Sequence, residues 1–164
     1  MITSLMYFSR VTPGVKPDDI ARIFREAHRR NGEIGISGVL YSDGRWFIQV
    51  LEGMRHHVSR IFGMISKDTR HVDVTLVSVR EVECYQFREW SMGLIRRDTA
   101  VDEIVRDVLE AHELSPPDLN FAQLNALLVR FADERLRGVI PHFRARPPNG
   151  TAPSEDGMFE REEA

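Results

Sequence analysis

The chain has 164 residues, 42% of them apolar, and a formal charge of −3. That describes one soluble globular unit with a real core, offers no broad basic field for nucleic acid, and contains no apolar run long enough to span a bilayer. No signal-peptide pattern opens the chain. The single cysteine, Cys84, excludes an intramolecular disulfide, so a reducing, cytoplasmic setting is expected. CxxC, HExxH, GxGxxG, Walker and GxSxG patterns are absent, so no metal site and no enzyme are expected.

Ile2 to Ser9 reads as a first strand, with Thr3, Leu5, Tyr7 and Ser9 on one face. After the turn Thr12-Pro13-Gly14, a helix is predicted. Pro17 lies in its first turn, Asp18 and Asp19 at its positive end, and Ile20, Ile23, Phe24 and Ala27 form its apolar stripe. Asn31-Gly32 reads as its end, with glycine in a left-handed cap. Ile34 to Tyr41 is expected as strand two, Ser42-Asp43-Gly44 as a hairpin turn, and Arg45 to Leu51 as strand three, broken by Gly53. A second helix carries Val58, Ile61, Phe62 and Ile65, and Lys67 to Arg70 is a polar turn. His71 to Val82 alternates as strand four, Val72, Val74 and Leu76 against Asp73, Thr75 and Val77; Trp90 to Ile95 is a fifth strand.

The order is βαββαββ, an α+β, ferredoxin-like plan with one extra strand. Both crossover helices should share one face of the sheet and leave a slot between them, floored by strands. Two amphipathic helices follow, one on Val101, Ile104, Val105, Val108 and Leu109, the other on Leu124, Leu127, Leu128 and Phe131. Neither can bury its stripe alone, so the pair should cover the free sheet face or a second subunit. The predicted organisation is a ligand-binding domain over 1–97, a helical cap over 98–140 and a flexible acidic tail over 141–164.

Gln49 is the residue that most needs explaining. It lies within Trp46-Phe47-Ile48-Gln49-Val50-Leu51, where a buried amide without partners costs a few kcal/mol, roughly 1–3. An amide can also exchange its donor and acceptor ends by rotating. Taken singly, Tyr7, Gln49, Trp90 and Met92 read as satisfied core residues, Asn31 as a helix C-cap, Asp68 as a turn former and His71 as a partly exposed strand residue.

Together they form a pattern. Tyr7-x-Ser9, Asn31-x-x-x-Gly35-Ile36-Ser37-Gly38, Gly44-Arg45-Trp46-Phe47-x-Gln49-x-Leu51-Glu52-Gly53, Asp68-x-Arg70-His71 and Trp90-Ser91-Met92-Gly93 occur in order. The set resembles the BLUF family of blue-light sensors that use FAD, over residues 1 to about 97. The C-terminal helices resemble the cap of its short, stand-alone members and match no effector enzyme.

The resemblance implies FAD, with FMN as the other flavin, in the slot between the helices. It implies Asn31 on the pyrimidine side of the ring, and Asp68, Arg70 and His71 at the same end or its edge. Ile23, Ala27, Phe47, Leu51 and Ile65 would be apolar walls. Tyr7 would be the electron and proton donor, Gln49 the amide between that phenol and the flavin, and Trp90 with Met92 the relay pair near Gln49. Arg30 stands where many relatives have Asn or His; it either reaches the flavin's polar edge or phosphate or remains a solvated cation, the second being favoured. Ser37 replaces a common Thr and keeps the hydroxyl. Cys84, in Glu83-Cys84-Tyr85, lacks the surroundings of a thiol-adduct photosensor.

The expected output is a change in association with an unknown downstream protein, with homo-oligomers, and without nucleic acid or membrane. The competing readings are a non-photoactive ferredoxin-like ligand or interaction module and, third, a small flavoenzyme.

Overall fold

The computed structural model describes residues 1–90 and 92–139, with side chains through 136. The expected acidic tail, 141–164, lies outside the described residues. Five strands form one sheet: β1 (Ile2–Val11), β2 (Ser37–Ser42), β3 (Trp46–Gly53), β4 (His71–Val82) and β5 (Gly93–Arg96), in the order β4-β1-β3-β2-β5. All neighbours are antiparallel except β2 and β5, which are parallel. Helices α1 (Pro17–Glu33) and α2 (Arg55–Ile65) are the two crossovers. The plan is the ferredoxin-like α+β arrangement with an added strand.

Strand alternation divides the core. Leu5, Tyr7, Leu40, Phe47 and Leu51 face α1 and α2, where they meet Ile20, Ile23, Ala27, Val58 and Ile61. Met6, Phe8, Val39, Tyr41, Ile48 and Val50 face the other way. That second face is covered by α3 (Thr99–Leu109) and α4 (Phe121–Val139), through Leu124, Leu127, Leu128 and Phe131. Phe131 stacks on Tyr41 with ring centroids 5.3 Å apart. The C-terminal stripes are therefore buried on the chain's own sheet. With both faces covered, every residue from Thr3 to Ser9 is buried.

Local chemistry sets the ends of the cap helices. Asp98 caps α3 by accepting the Val101 N–H at 3.0 Å. Asn120 and Gln123 at the start of α4 exchange two hydrogen bonds of 3.0 and 3.1 Å, a reciprocal cap. Arg80 on β4 lies over the Phe121 ring, 4.1 Å from its centroid, and joins the outer strand to the cap.

Four expectations are corrected. Helix α1 does not stop at Asn31-Gly32 but runs through Glu33; the left-handed residue is Gly35, at φ 68°. Strand two consequently starts at Ser37 rather than Ile34. The β1–β4 ladder shifts register between Met6 and Tyr7 and again between Phe8 and Arg10, with Asp73 at φ 54°. These irregularities break the simple alternation, and Leu76 is left 49% exposed on the edge strand. Finally, the fifth strand begins at Gly93, not Trp90.

Candidate functional site

Tyr7 and Gln49 are directly paired across β1 and β3, and both point toward α1 and α2. The Tyr7 hydroxyl donates to Gln49 Oε1 at 2.5 Å, and Gln49 Nε2 donates to Met92 Sδ at 3.2 Å. Thioether sulfur is a weak acceptor, so the amide is held firmly at one end and loosely at the other. Burial is the main cause that raises the Tyr7 pKa, with the negative charge of Asp68 adding to it and Arg30 opposing it. The phenol is neutral and a committed donor.

A cavity of about 230 Å³ opens beside this pair. Helix α1 supplies Ile23, Ala27 and Arg30 to its wall, at the spacing of one helix face; Ile65 comes from the end of α2, and Asp68, Arg70 and His71 from the turn into β4. Glu26, Leu40 and Met64 also line it. The sequence reading missed these three, although Leu40 is the cross-strand partner of Gln49 and Glu26 lies one helical turn before Arg30. Phe47 and Leu51 are buried in the same core cluster without lining the cavity.

The rim is electrostatically organised. Arg70 grips Asp68 with Nε at 2.9 and 3.1 Å from its two oxygens and Nη2 at 2.6 Å, and reaches Glu26 at 3.4 Å. The hydrogen bonds from Arg70 hold the Asp68 carboxyl below the usual carboxylate range, and Asp68 in turn raises Arg70. His71 stacks on Phe47 at 4.4 Å, with Nδ1 2.8 Å from the Ser9 hydroxyl. Burial pushes its pKa down to about 4, so the imidazole is neutral at pH 7.

Among the described residues, Arg30, Asn31, Ser37 and His57 carry buried side-chain atoms without partners, and the first two bear on what the cavity could hold. Asn31 does not line the cavity; it is fully buried, one turn beyond Ala27 and next to the lining residue Arg30, and both its Oδ1 and Nδ2 are unpaired. It is therefore not a C-cap. Arg30 lines the cavity half-buried, with its Nε buried and unpaired. Ser37 Oγ is also unpaired, but strand parity with Val39 and Tyr41 puts it on the opposite face. An amide offering both a donor and an acceptor, a cation and apolar walls fit the edge of a flat heteroaromatic ring that itself donates and accepts. The volume is below the ~300–1,000 Å³ of ordinary small-molecule sites; it suits a ring with its tail outside. A larger groove of about 610 Å³ between α2 and β4 includes Leu5, Val58, Phe62, Leu76 and Val79 in its lining, but none of these unpaired polar atoms.

Trp90 and Met92 are not brought together beside Gln49. Met92 packs in the core on the α1/α2 side, whereas Trp90 packs against the core under the cap helices. Its carbonyl accepts the Gly38 N–H at 3.0 Å, and its ring lies so close to Gly93 that an added Cβ would come within 1.2 Å of it. Cys84 is free and exposed, away from the cavity lining.

The profile of one family, the sensors of blue-light using FAD (BLUF), matches residues 2–93. This chain belongs to the BLUF family. Residues 2–93 are thus a blue-light-sensing flavin domain. The photoactivated adenylate cyclase subunit beta of Euglena gracilis is 34% identical over 92 residues, which cover 56% of this chain but only 11% of that protein. The structure of BlsA in its photo-activated state superposes with a TM-score of 0.73 at 29% identity, covering 80% of this chain and 95% of that one. Klebsiella pneumoniae BlrP1 with FMN and cyclic diGMP superposes at 0.59 and 30% identity, over 84% of this BLUF chain and 36% of BlrP1. Among the described residues no helix is long and apolar enough to cross a membrane.

Proposed function

We propose that this BLUF protein is a light-driven conformational switch rather than an enzyme, working in the cytoplasm through protein–protein association. The observation that carries this reading is the continuous line from the Tyr7 hydroxyl through Gln49 to Met92 Sδ. Asn31, Arg30, Asp68, Arg70 and His71 hold and orient the polar edge of a flavin ring, with Ile23, Ala27 and Ile65 as walls and Phe47 and Leu51 as the floor behind them. FAD is the form we propose, as in the family's description. FMN shares the ring, and a cavity of about 230 Å³ recognises little else of either molecule.

The bound flavin supplies a blue-absorbing ring whose excited state withdraws one electron and later returns it. Tyr7 gives that electron. Its hydroxyl proton, tightly held at a phenolic pKa of ~10 or above, becomes strongly acidic once the electron has gone, and it passes to Gln49 Oε1. Gln49, protonated on Oε1, would then hand a proton from Nε2 to the ring that holds the electron, or rotate. When Tyr7 regains its electron and proton, the amide is left in a second arrangement. In the rotated form Nε2 faces the phenol and Oε1 faces Met92 Sδ, which has no hydrogen to offer it. The Gln49–Met92 bond is thereby lost.

One or two rearranged hydrogen bonds are worth roughly 1–3 kcal/mol, a shift of about 5- to 150-fold in a two-state equilibrium. That suffices to bias an interface and not to unfold a domain. Met92 immediately precedes β5, and α4 packs on β5 and β2, so residues 98–139 form the output element and act on a partner or a second copy. The test is the light-minus-dark absorption spectrum of flavin-loaded protein. The natural sequence gives a reversible red shift, while Tyr7→Phe and Gln49→Leu keep the flavin and lose the shift. Normal cycling in either variant overturns the assignment of that residue.

A further inference from the structure

Strand β3 grips the chain that leads into β5 from both faces of the sheet. On the α1/α2 face, Gln49 meets Met92. Three residues on, and so on the opposite face, Glu52 is 1% exposed, and its Oε2 accepts the backbone N–H groups of Gln86 and Phe87 at 2.8 and 3.0 Å. The Ser4 hydroxyl, on the cross-strand neighbour, adds a further hydrogen bond. A buried carboxylate is retained only where donors converge on it. Here two of those donors belong to the connection between β4 and β5, whose described residues form no helix or strand that would hold it.

From Phe87 the chain is fixed in steps. The Phe87 side chain is buried under the cap, and its carbonyl accepts the Trp90 N–H at 3.0 Å. The Trp90 carbonyl accepts the Gly38 N–H at 3.0 Å, and the Trp90 ring rests on Gly93. Met92 lies between these last two contacts. We propose that Glu52 is a positioning residue: its carboxylate fixes residues 86–90 and thereby sets Met92 against Gln49 and Trp90 against the cap. It touches neither the cavity nor the Tyr7 hydroxyl. It acts by giving Met92 a fixed point to move against when Gln49 re-pairs. Its relevance to signalling rests on the function proposed above, whereas the anchoring itself is a property of the dark protein.

Amide hydrogen exchange in the dark, on the full flavin-loaded chain, tests the anchor. Glu52→Ala should speed exchange at Gln86, Phe87 and also Gly38 by roughly tenfold or more and shift the Met92 methyl resonance. Exchange at Leu5 and Leu51 in the central ladder should stay at its wild-type rate, which separates release of this segment from general loosening. Glu52→Gln keeps an acceptor oxygen and the side-chain shape; it should give a smaller change of the same kind, and it carries the test if the alanine variant does not fold. Unchanged Gly38 exchange together with an unchanged Met92 methyl in whichever variant folds overturns the proposal. A light arm is then added: Glu52→Ala should keep the red shift but alter its dark recovery rate. If the natural sequence shows no red shift at all, the function proposed above fails, and the dark exchange pattern still decides the role of Glu52.

Discussion

The two faces of the sheet are built on opposite terms. Under the cap helices, Leu124, Leu127, Leu128 and Phe131 are at most 1% exposed and belong to one apolar cluster with Met6, Val39, Tyr41 and Ile48. On the α1/α2 face the same strands carry Tyr7, Gln49 and Met92 in a hydrogen-bonded line, beside an Asn31 amide and an Arg30 Nε with nothing to bond. Apart from the Ser37 Oγ and the Glu52 carboxyl, whose partners are backbone N–H groups, the first face is packed as an apolar protein core. The second has buried polar atoms whose cost is recovered only when a ligand pairs them. Stability and sensing are thus separated across a single layer of strands, and β5 belongs to both.

If that separation holds, removing atoms from the two faces should have different consequences. The largest effect on stability is expected under the cap. Phe131→Ala should lower unfolding free energy by about 3–5 kcal/mol in a urea titration of flavin-free protein, and a loss below ~1 kcal/mol would mean that α4 does not seal this face. Asn31→Ala should do the reverse. Flavin-free protein should unfold at the same or higher urea concentration, because an unpaired amide is gone, while flavin affinity measured by titration falls by roughly ten- to a hundredfold. Marked destabilisation of the flavin-free variant would show that Asn31 is satisfied within the chain.

A smaller effect belongs to His71. Its folded pKa of about 4 is below the ordinary 6.5, so the unfolded chain binds more protons between those values. Stability therefore rises with pH across that window and is fully present above pH 6.5. Acidifying from pH 6.5 to 4 should remove roughly 1–2 kcal/mol that His71→Gln does not lose, read from urea midpoints across pH. Equal slopes for both proteins would contradict burial as the cause. The smallest change is expected at the seam: Arg80→Gln removes the cation over Phe121 and should cost about 0.5–1 kcal/mol in the same titration. No change at all would mean that β4 is not tied to the cap.

Much of the sensing face was legible because alternation is a strict rule. Period two puts Tyr7 and Gln49 on the face of α1 and α2 wherever β1 and β3 pair, and helical spacing aligns Ile23, Ala27 and Arg30. What failed did so for local reasons. Asn31-Gly32 has the composition of a helix end, but the turn that α1 requires is made at Gly35, and the extra residues carry Asn31 into the interior. Trp90 and Met92, two apart, would share a face in a regular strand. The strand starts at Gly93, and the irregular chain before it sends the indole to one side of the sheet and the thioether to the other. The register shifts in β4 depend on how Asp73 sits against β1, which no period reports. Glu52 gave no signal as an anchor, since its partners are backbone N–H groups more than thirty residues away.

On the function proposed above, light changes the bonding of one side-chain amide, that of Gln49, and so releases one thioether, that of Met92. Side-chain nitrogen-15 NMR of Gln49 together with the Met92 methyl resonance, on flavin-loaded protein in darkness and under continuous blue light, tests it directly. Both signals should move on illumination and return in the dark together with the absorption spectrum. A red-shifted flavin accompanied by unmoved Gln49 and Met92 signals would contradict it.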